Sequence, residues 1–236
     1  MTPRTVSLGL LTLLLALGVT INPNRTAAKS DEYEPKIDPA EFQATIDNPY
    51  LPLIPGTTYM LQEKRGKRIS QNEVTVTHDH KTIMGVPCVV VHDVVREKSK
   101  LKEDTFDWYA QDKEGTVWYF GEDTKEYHGK NYSTKGSWEA GVQGNKPGII
   151  MPAHPAPGKP YTQEYSPGNA MDMGQVVAVG EKTTVPAGTY NDCVRTKEWS
   201  LLEAGSEKKW YARGVGVVRE ESTDFEVCTL MSVAKP

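Results

Sequence analysis

The 236-residue chain carries a formal charge of −4 and no run of basic side chains, which argues against nucleic acid or an anionic membrane surface as a partner. It is long enough to bury a core without covalent staples. Three cysteines, Cys88, Cys193 and Cys228, permit at most one internal disulfide; buried thiols are the expected state, and a bridge would best join Cys193 to Cys228.

Residues 1–28 read as a secretory signal peptide. Arg4 precedes the apolar run Leu8-Gly9-Leu10-Leu11-Thr12-Leu13-Leu14-Leu15-Ala16-Leu17, and Thr26-Ala27-Ala28 supplies small residues at the cleavage site. The run is shorter than the roughly 20 residues of a membrane span, and a retained anchor is the alternative. No cysteine stands at the cleavage region, so a lipid anchor is not expected. Cleavage removes Arg4 and Arg25 and moves the formal charge from −4 to about −6. The expected product is exported, periplasmic or extracellular, with no membrane insertion.

Residues 29–47 read as a polar leader, with a short helix over 38–45. A first β repeat is expected over 48–123. Val74-Thr75-Val76-Thr77-His78 and Pro87-Cys88-Val89-Val90-Val91-His92 have the β-branched composition of strands joined by the turn Lys81-Thr82-Ile83-Met84-Gly85. Thr105-Phe106-Asp107-Trp108-Tyr109-Ala110-Gln111 and Thr116-Val117-Trp118-Tyr119-Phe120-Gly121-Glu122 form a hairpin around Asp112-Lys113-Glu114-Gly115. Strict alternation places Phe106, Trp108, Ala110, Val117, Tyr119 and Gly121 on one face, the expected core face on hydrophobicity. Asp107, Tyr109, Gln111, Trp118, Phe120 and Glu122 fall on the other, an unusual mixture of carboxylates and aromatics.

Residues 124–152 form a crossover too long for a plain connection. Trp138, Ile149, Ile150 and Met151 are too apolar for a linker, so the segment is expected to cover an opening as a lid or to plug a barrel end. Residues 153–236 read as a second β repeat, with a short helix near 169–173. The two repeats echo one another. Pro55-Gly56-Thr57-Thr58-Tyr59 returns as Pro157-Gly158-Lys159-Pro160-Tyr161, and Trp108-Tyr109-Ala110 returns as Trp210-Tyr211-Ala212, both at an offset of 102. Cys88 and Cys193 lie 105 apart, and Gly115-x-Val117 matches Gly216-x-Val218 with one residue lost. Duplication predicts two related halves.

Asn48-Pro49-Tyr50-Leu51-Pro52-Leu53-Ile54-Pro55-Gly56-Thr57, Asp107-Trp108-Tyr109-Ala110-Gln111-Asp112, Val117-Trp118-Tyr119-Phe120-Gly121-Glu122 and Gly148-Ile149-Ile150-Met151-Pro152 resemble a family of exported bacterial proteins of unassigned function. The resemblance spans most of the mature chain. It implies that the hairpin and the Gly-Ile-Ile-Met-Pro segment belong to one shared feature, and it implies no activity.

The chemistry on offer is sparse. Asp104, Asp107, Asp112, Glu114, Glu122 and Asp123 gather on one hairpin, and Asp107 with Glu122 would serve as a general acid–base pair. Lys209 stands where Asp107 does in the second repeat, so a polar site is expected to belong to the first. The Asp112 turn lacks the spacing of a calcium loop. His78 and His80 share a strand face without a third ligand, so neither a metal nor a cofactor is implied. Ser137 and Ser166 lack a nucleophile motif.

These observations predict an all-β protein, an antiparallel barrel or curled sheet built from two tandem related halves. The leading function is an exported, non-enzymatic binder or carrier of a small apolar or aromatic ligand, held by Asp107, Tyr109, Trp118, Glu122, Trp138 and Met151. A carboxylate-dependent hydrolase or lyase using Asp107 and Glu122, and a surface protein-interaction module, are the alternatives.

Overall fold

The computed structural model describes residues 33–223 and 225–236; the expected signal peptide over 1–28 and the first residues of the expected leader lie outside them. A single-turn 3-10 helix, Pro39–Glu41, is capped by Asp38 and runs straight into the short strand β1 (Phe42–Gln43). The helix expected over 38–45 is therefore shorter, because Pro39 starts a turn that Phe42 immediately ends by pairing with Asp112.

The first half runs through β2 (Thr58–Arg65), β3 (Arg68–Ile83), β4 (Val86–Glu97), β5 (Lys100–Asp112) and β6 (Val117–His128), each antiparallel to the next. Alternation selects them as strands: in β2, Tyr59, Leu61 and Glu63 are buried and the residues between are not. The chain then makes β7 (Asn131–Ser133), β8 (Trp138–Glu139) and β9 (Lys146–Met151). The second half comprises β10 (Tyr161–Ser166), β11 (Ala170–Val185), β12 (Gly188–Ser200), β13 (Glu207–Ala212), β14 (Gly216–Ser222) and β15 (Val227–Ala234). Residues 170–173 enter β11 instead of forming the helix expected near 169–173; Ala170, Met171, Asp172 and Met173 all pair with β10.

Each of these strands finds its neighbour antiparallel, and the β5–β6 pairing closes the circuit through β4, β3, β2, β15, β14, β13, β12, β11, β10 and β9. The result is a closed antiparallel all-β barrel of 12 strands, which leaves no free edge along its wall. β9 joins the first half to the second by pairing with β6 and β10, and β15 joins the second to the first by pairing with β14 and β2. The crossover thus contributes wall at both of its ends, since 124–128 extends β6 and β9 is a stave of the barrel, while β7 and β8 between them lie off the circuit. Met151, expected in a cover, sits in that stave opposite Val117 and is fully buried.

The two halves share registers. Val89 faces Tyr109 and Val194 faces Tyr211, so the 105-residue and 102-residue offsets describe one arrangement. Asp107 faces Glu122 and Lys209 faces Glu220. Glu220 is therefore the counterpart of Glu122, three positions earlier than the Gly115/Gly216 match implies. Cys88, Cys193 and Cys228 are free and buried.

The Asn48-Pro49-Tyr50-Leu51 motif lies across one barrel end. Asn48 uses both ends of its amide: Nδ2 donates to the Gly115 carbonyl at 2.8 Å and the Pro152 carbonyl at 3.3 Å, while Oδ1 accepts from the Tyr50 and Leu51 amides. Gln111 Oε1 accepts from the Asp47 and Asn48 amides, and Gly214 N–H donates to the Pro49 carbonyl. The motif is tied to the hairpin tips of both halves, which drives Ile46, Leu51 and Leu53 into the core.

Candidate functional site

One glycine decides what faces the barrel interior. Trp108 pairs with Gly121, yet Tyr109 pairs with Tyr119, so a residue of β6 is skipped and the strand bulges. Gly121 holds φ at 123°, and a Cβ there would lie 2.1 Å from the Trp138 carbonyl oxygen. Only glycine permits that approach. Past the bulge the alternation is inverted. Asp107, Tyr109 and Glu122 share one face as alternation requires, but that face is the barrel interior and not the side opposite the core, and Tyr119 takes the place beside them expected for Trp118. Trp118 pairs with Ala110 on the outer side, donates its indole N–H to Asp112 Oδ2 at 2.8 Å and packs edge-on against Phe42. Asp112 also accepts from the Glu114 and Thr116 amides, so it is the organiser of the hairpin turn.

Inside, the Tyr119 hydroxyl donates to Asp107 Oδ1 at 2.6 Å and its ring lies 4.9 Å from that of Tyr109. The second half contributes to the same space, contrary to the expectation that a polar site would belong to the first half alone. Lys209 Nζ meets Glu198 Oε2 at 3.1 Å and Glu207 Oε1 at 3.0 Å, and it is buried. Glu198 Oε1 accepts from Thr196 and from the Tyr211 hydroxyl. A second bulge, between Thr162 and Glu164 in β10, turns two consecutive side chains inward, Gln163 and Glu164. Gly174 makes room for Gln163 and Tyr161, whose side-chain atoms come within 2.7 Å of where its Cβ would stand. Lys209, Glu198, Gln163 and Glu164 were not foreseen from sequence. Their strands, Tyr161–Ser166, Gly188–Ser200 and Glu207–Ala212, are rich in polar residues, so nothing local separated these side chains from solvent-facing ones.

Among the described residues ten buried carboxylic acids accompany one buried lysine and no buried arginine. Burial dominates their chemistry. It pushes Asp107 up to about 7, against the Tyr119 hydrogen bond and the Lys209 charge that pull it down. It pushes Asp172 up to about 7 against a hydrogen bond from Ser200, with Glu207 adding to the rise. Glu220 is carried up to about 8 and Glu164 well above the carboxylate range, the latter with Asp172 as the next cause. Lys209 is held well above its usual value: burial pulls it down, and Glu198, Glu207 and Glu220 more than reverse the effect.

These carboxyls bind protons more tightly folded than unfolded, so their contribution to stability is complete below about pH 4 and is lost as pH rises through about 7 to 8. Between pH 5 and pH 8 each such group removes on the order of 2 kcal/mol. Thermal unfolding scans should show a Tm lower at pH 8 than at pH 5 by at least about 5 °C. A Tm that rises over this interval would contradict the protonated interior.

The interior meets the surface at one cleft of roughly 600 Å3, lined in part by Lys81, Trp108, Glu122, Trp138, Glu139 and Asn169. β8 forms one of its walls by pairing with β6 at Gly121 and Glu122. Lys81 lies 3.3 Å from the centre of the Trp108 ring and is held by Glu139 at 2.6 Å. Trp138 stands between cleft and interior: it lines the cleft, while its indole N–H donates to Glu164 Oε2 at 3.1 Å and its ring packs edge-on to Tyr119. Of the six side chains expected to hold a ligand, Glu122 and Trp138 line the cleft, and Asp107 and Tyr109 lie behind them. Trp118 and Met151 are elsewhere. His92 is engaged with Asp104 at 2.7 Å and stacked on Phe106.

No family model and no curated protein matches this chain. Two solved structures are similar to it. One is a candidate exported protein with a YmcC-like fold from Bacteroides fragilis, with a TM-score of 0.49 and 14% identity over 79% of this chain and 99% of its own. The other is a candidate lipoprotein from Parabacteroides distasonis, with a TM-score of 0.43 and 15% identity over 78% of this chain and 98% of its own.

Proposed function

We propose that the protein is an exported, non-enzymatic binding protein that takes a small ligand with an aromatic or apolar part into the cleft beside β8. The carrying observation is Trp138, which lines the cleft and reaches Glu164 in the interior through its indole N–H. Trp108 supplies a second indole, and Glu122 a carboxyl at the boundary. Ligand sites of this kind pair aromatic walls with a few fixed polar groups. Export rests on residues 1–28, and the matched registers of the two halves support a duplicated origin.

The acid–base reading retains one observation, the Asp107 carboxyl raised to about 7 across the ladder from Glu122. Asp107 has no exposed surface and lies behind Trp138, which favours binding over turnover. Native mass spectrometry of the protein from its own exported fraction tests the proposal. The expected result is a bound small molecule that Trp118→Phe retains and Trp138→Phe binds about tenfold more weakly, the scale of one buried hydrogen bond. Equal retention by both variants would remove Trp138 from the site, and a co-purifying protein in place of a small molecule would favour the interaction reading.

A further inference from the structure

We infer that the ligand carries an ammonium group, or another cation rich in N–H donors, which enters behind Trp138 and is held in the barrel interior by Glu164, Asp107 and Gln163. The inference rests on the cleft reading and names its ligand's chemistry. Its ground is a mismatch of donors and acceptors inside the barrel. Glu164 Oε1, Asp107 Oδ2 and Glu220 Oε2 are buried without a hydrogen-bond partner. Gln163 is buried completely, and neither its amide oxygen nor its amide nitrogen has a partner. An unpaired carboxyl can reduce its cost by taking a proton, but a primary amide cannot. Gln163 is therefore the group that most requires an occupant.

The unsatisfied set is mostly acceptors, and the local cation, Lys209, is already shared between Glu198 and Glu207. A guest that supplies donors and positive charge complements both deficits, and an ammonium supplies three N–H donors to the carboxyl oxygens and the Gln163 amide oxygen, though none of its atoms accepts from the Gln163 amide nitrogen. An organic cation fits better than a metal ion. Among the described residues no three of His, Cys, Asp and Glu converge closely enough to hold one.

Such binding must compete with protons. Glu164 is faced by Asp172 of β11, Asp107 of β5, Lys209 of β13 and Trp138 of β8, and the carboxyls hold protons until pH approaches neutrality. A cation entering among them displaces a proton, so its affinity rises with pH.

Isothermal titration with tryptamine tests this against neutral 3-methylindole and anionic indole-3-acetate at pH 6 and pH 8. Tryptamine should bind more tightly at pH 8 than at pH 6 by about tenfold or more, with 3-methylindole weaker and indifferent to pH. At pH 7, two buffers of different ionisation enthalpy should reveal about one proton released per tryptamine bound. Glu164→Gln should reduce tryptamine to the level of 3-methylindole. Proton release by the unsubstituted protein decides the matter if that variant does not fold. Binding of 3-methylindole with no preference for tryptamine and no proton release would overturn the cationic inference and leave the cleft reading standing. Binding of neither indole would overturn both.

Discussion

Lys209→Met should cost roughly 3–5 kcal/mol of folding stability at neutral pH, the usual penalty for removing one partner of a buried charge network. For a chain of this size that is a fall in Tm on the order of 10 °C. Lys209 is the single buried base among the described residues; it touches Glu198 and Glu207 and lies across the ladder from Glu220. Without it these carboxyls keep only one another's negative charge. They would answer by retaining protons, so the deficit should be smaller at pH 5 than at pH 8. Urea denaturation of both proteins at the two pH values measures this directly. A deficit under about 1 kcal/mol at both would mean that the interior is as well solvated as a surface. The double variant Lys209→Met with Glu198→Gln should recover part of the loss, because it withdraws one of the stranded charges.

Gly121→Ala is expected to be the most damaging single-methyl change in the barrel. The new Cβ would stand 2.1 Å from the Trp138 carbonyl oxygen and 2.9 Å from its carbon, both backbone atoms that no rotamer can move. The residue would also be held at φ 123°, where an L side chain is strained. Together these should remove about 3 kcal/mol or more. The strain can be relieved only by lifting β8 from β6, which withdraws Trp138 from Glu164. A change in near-ultraviolet circular dichroism should therefore accompany the loss of stability. Gly66→Ala is the control. Gly66 has φ 56° in the β2–β3 turn with nothing within 4 Å of its Cβ position, so its cost should stay near 1 kcal/mol, the cost of positive φ alone. Equal effects at the two positions would show that the bulge does not depend on Gly121.

Much of the wall was legible residue by residue. Val74, Val76, Val89 and Val91 are buried in the two strands that the β-branched pattern marked. The Asp112–Gly115 turn forms as read, with Asp112 accepting two amides of its own loop. Asp107, Glu122 and Trp138 were also recognisable as candidates, because carboxylates beside aromatics on one strand face and an indole in a long polar crossover are conspicuous. Trp118 was assigned to the wrong side for a definite reason. Alternation assumes an unbroken ladder, and one skipped residue exchanges the faces of everything beyond it. Gly121 in the middle of a strand was the available sign of that break.

Local sequence determined where strands form, where the chain turns and which side chains alternate, since these follow from period-two patterning and turn chemistry within about ten residues. Tertiary structure decided what meets inside. Asp107 and Lys209 occupy matched positions 102 residues apart, and only the closed barrel brings them into one space, where the charge of Lys209 bears on Asp107. The likeness of the two sequences made Lys209 look like a lost site residue. Ring closure makes it the counter-charge of a shared interior, because a barrel turns both inward faces toward the same axis.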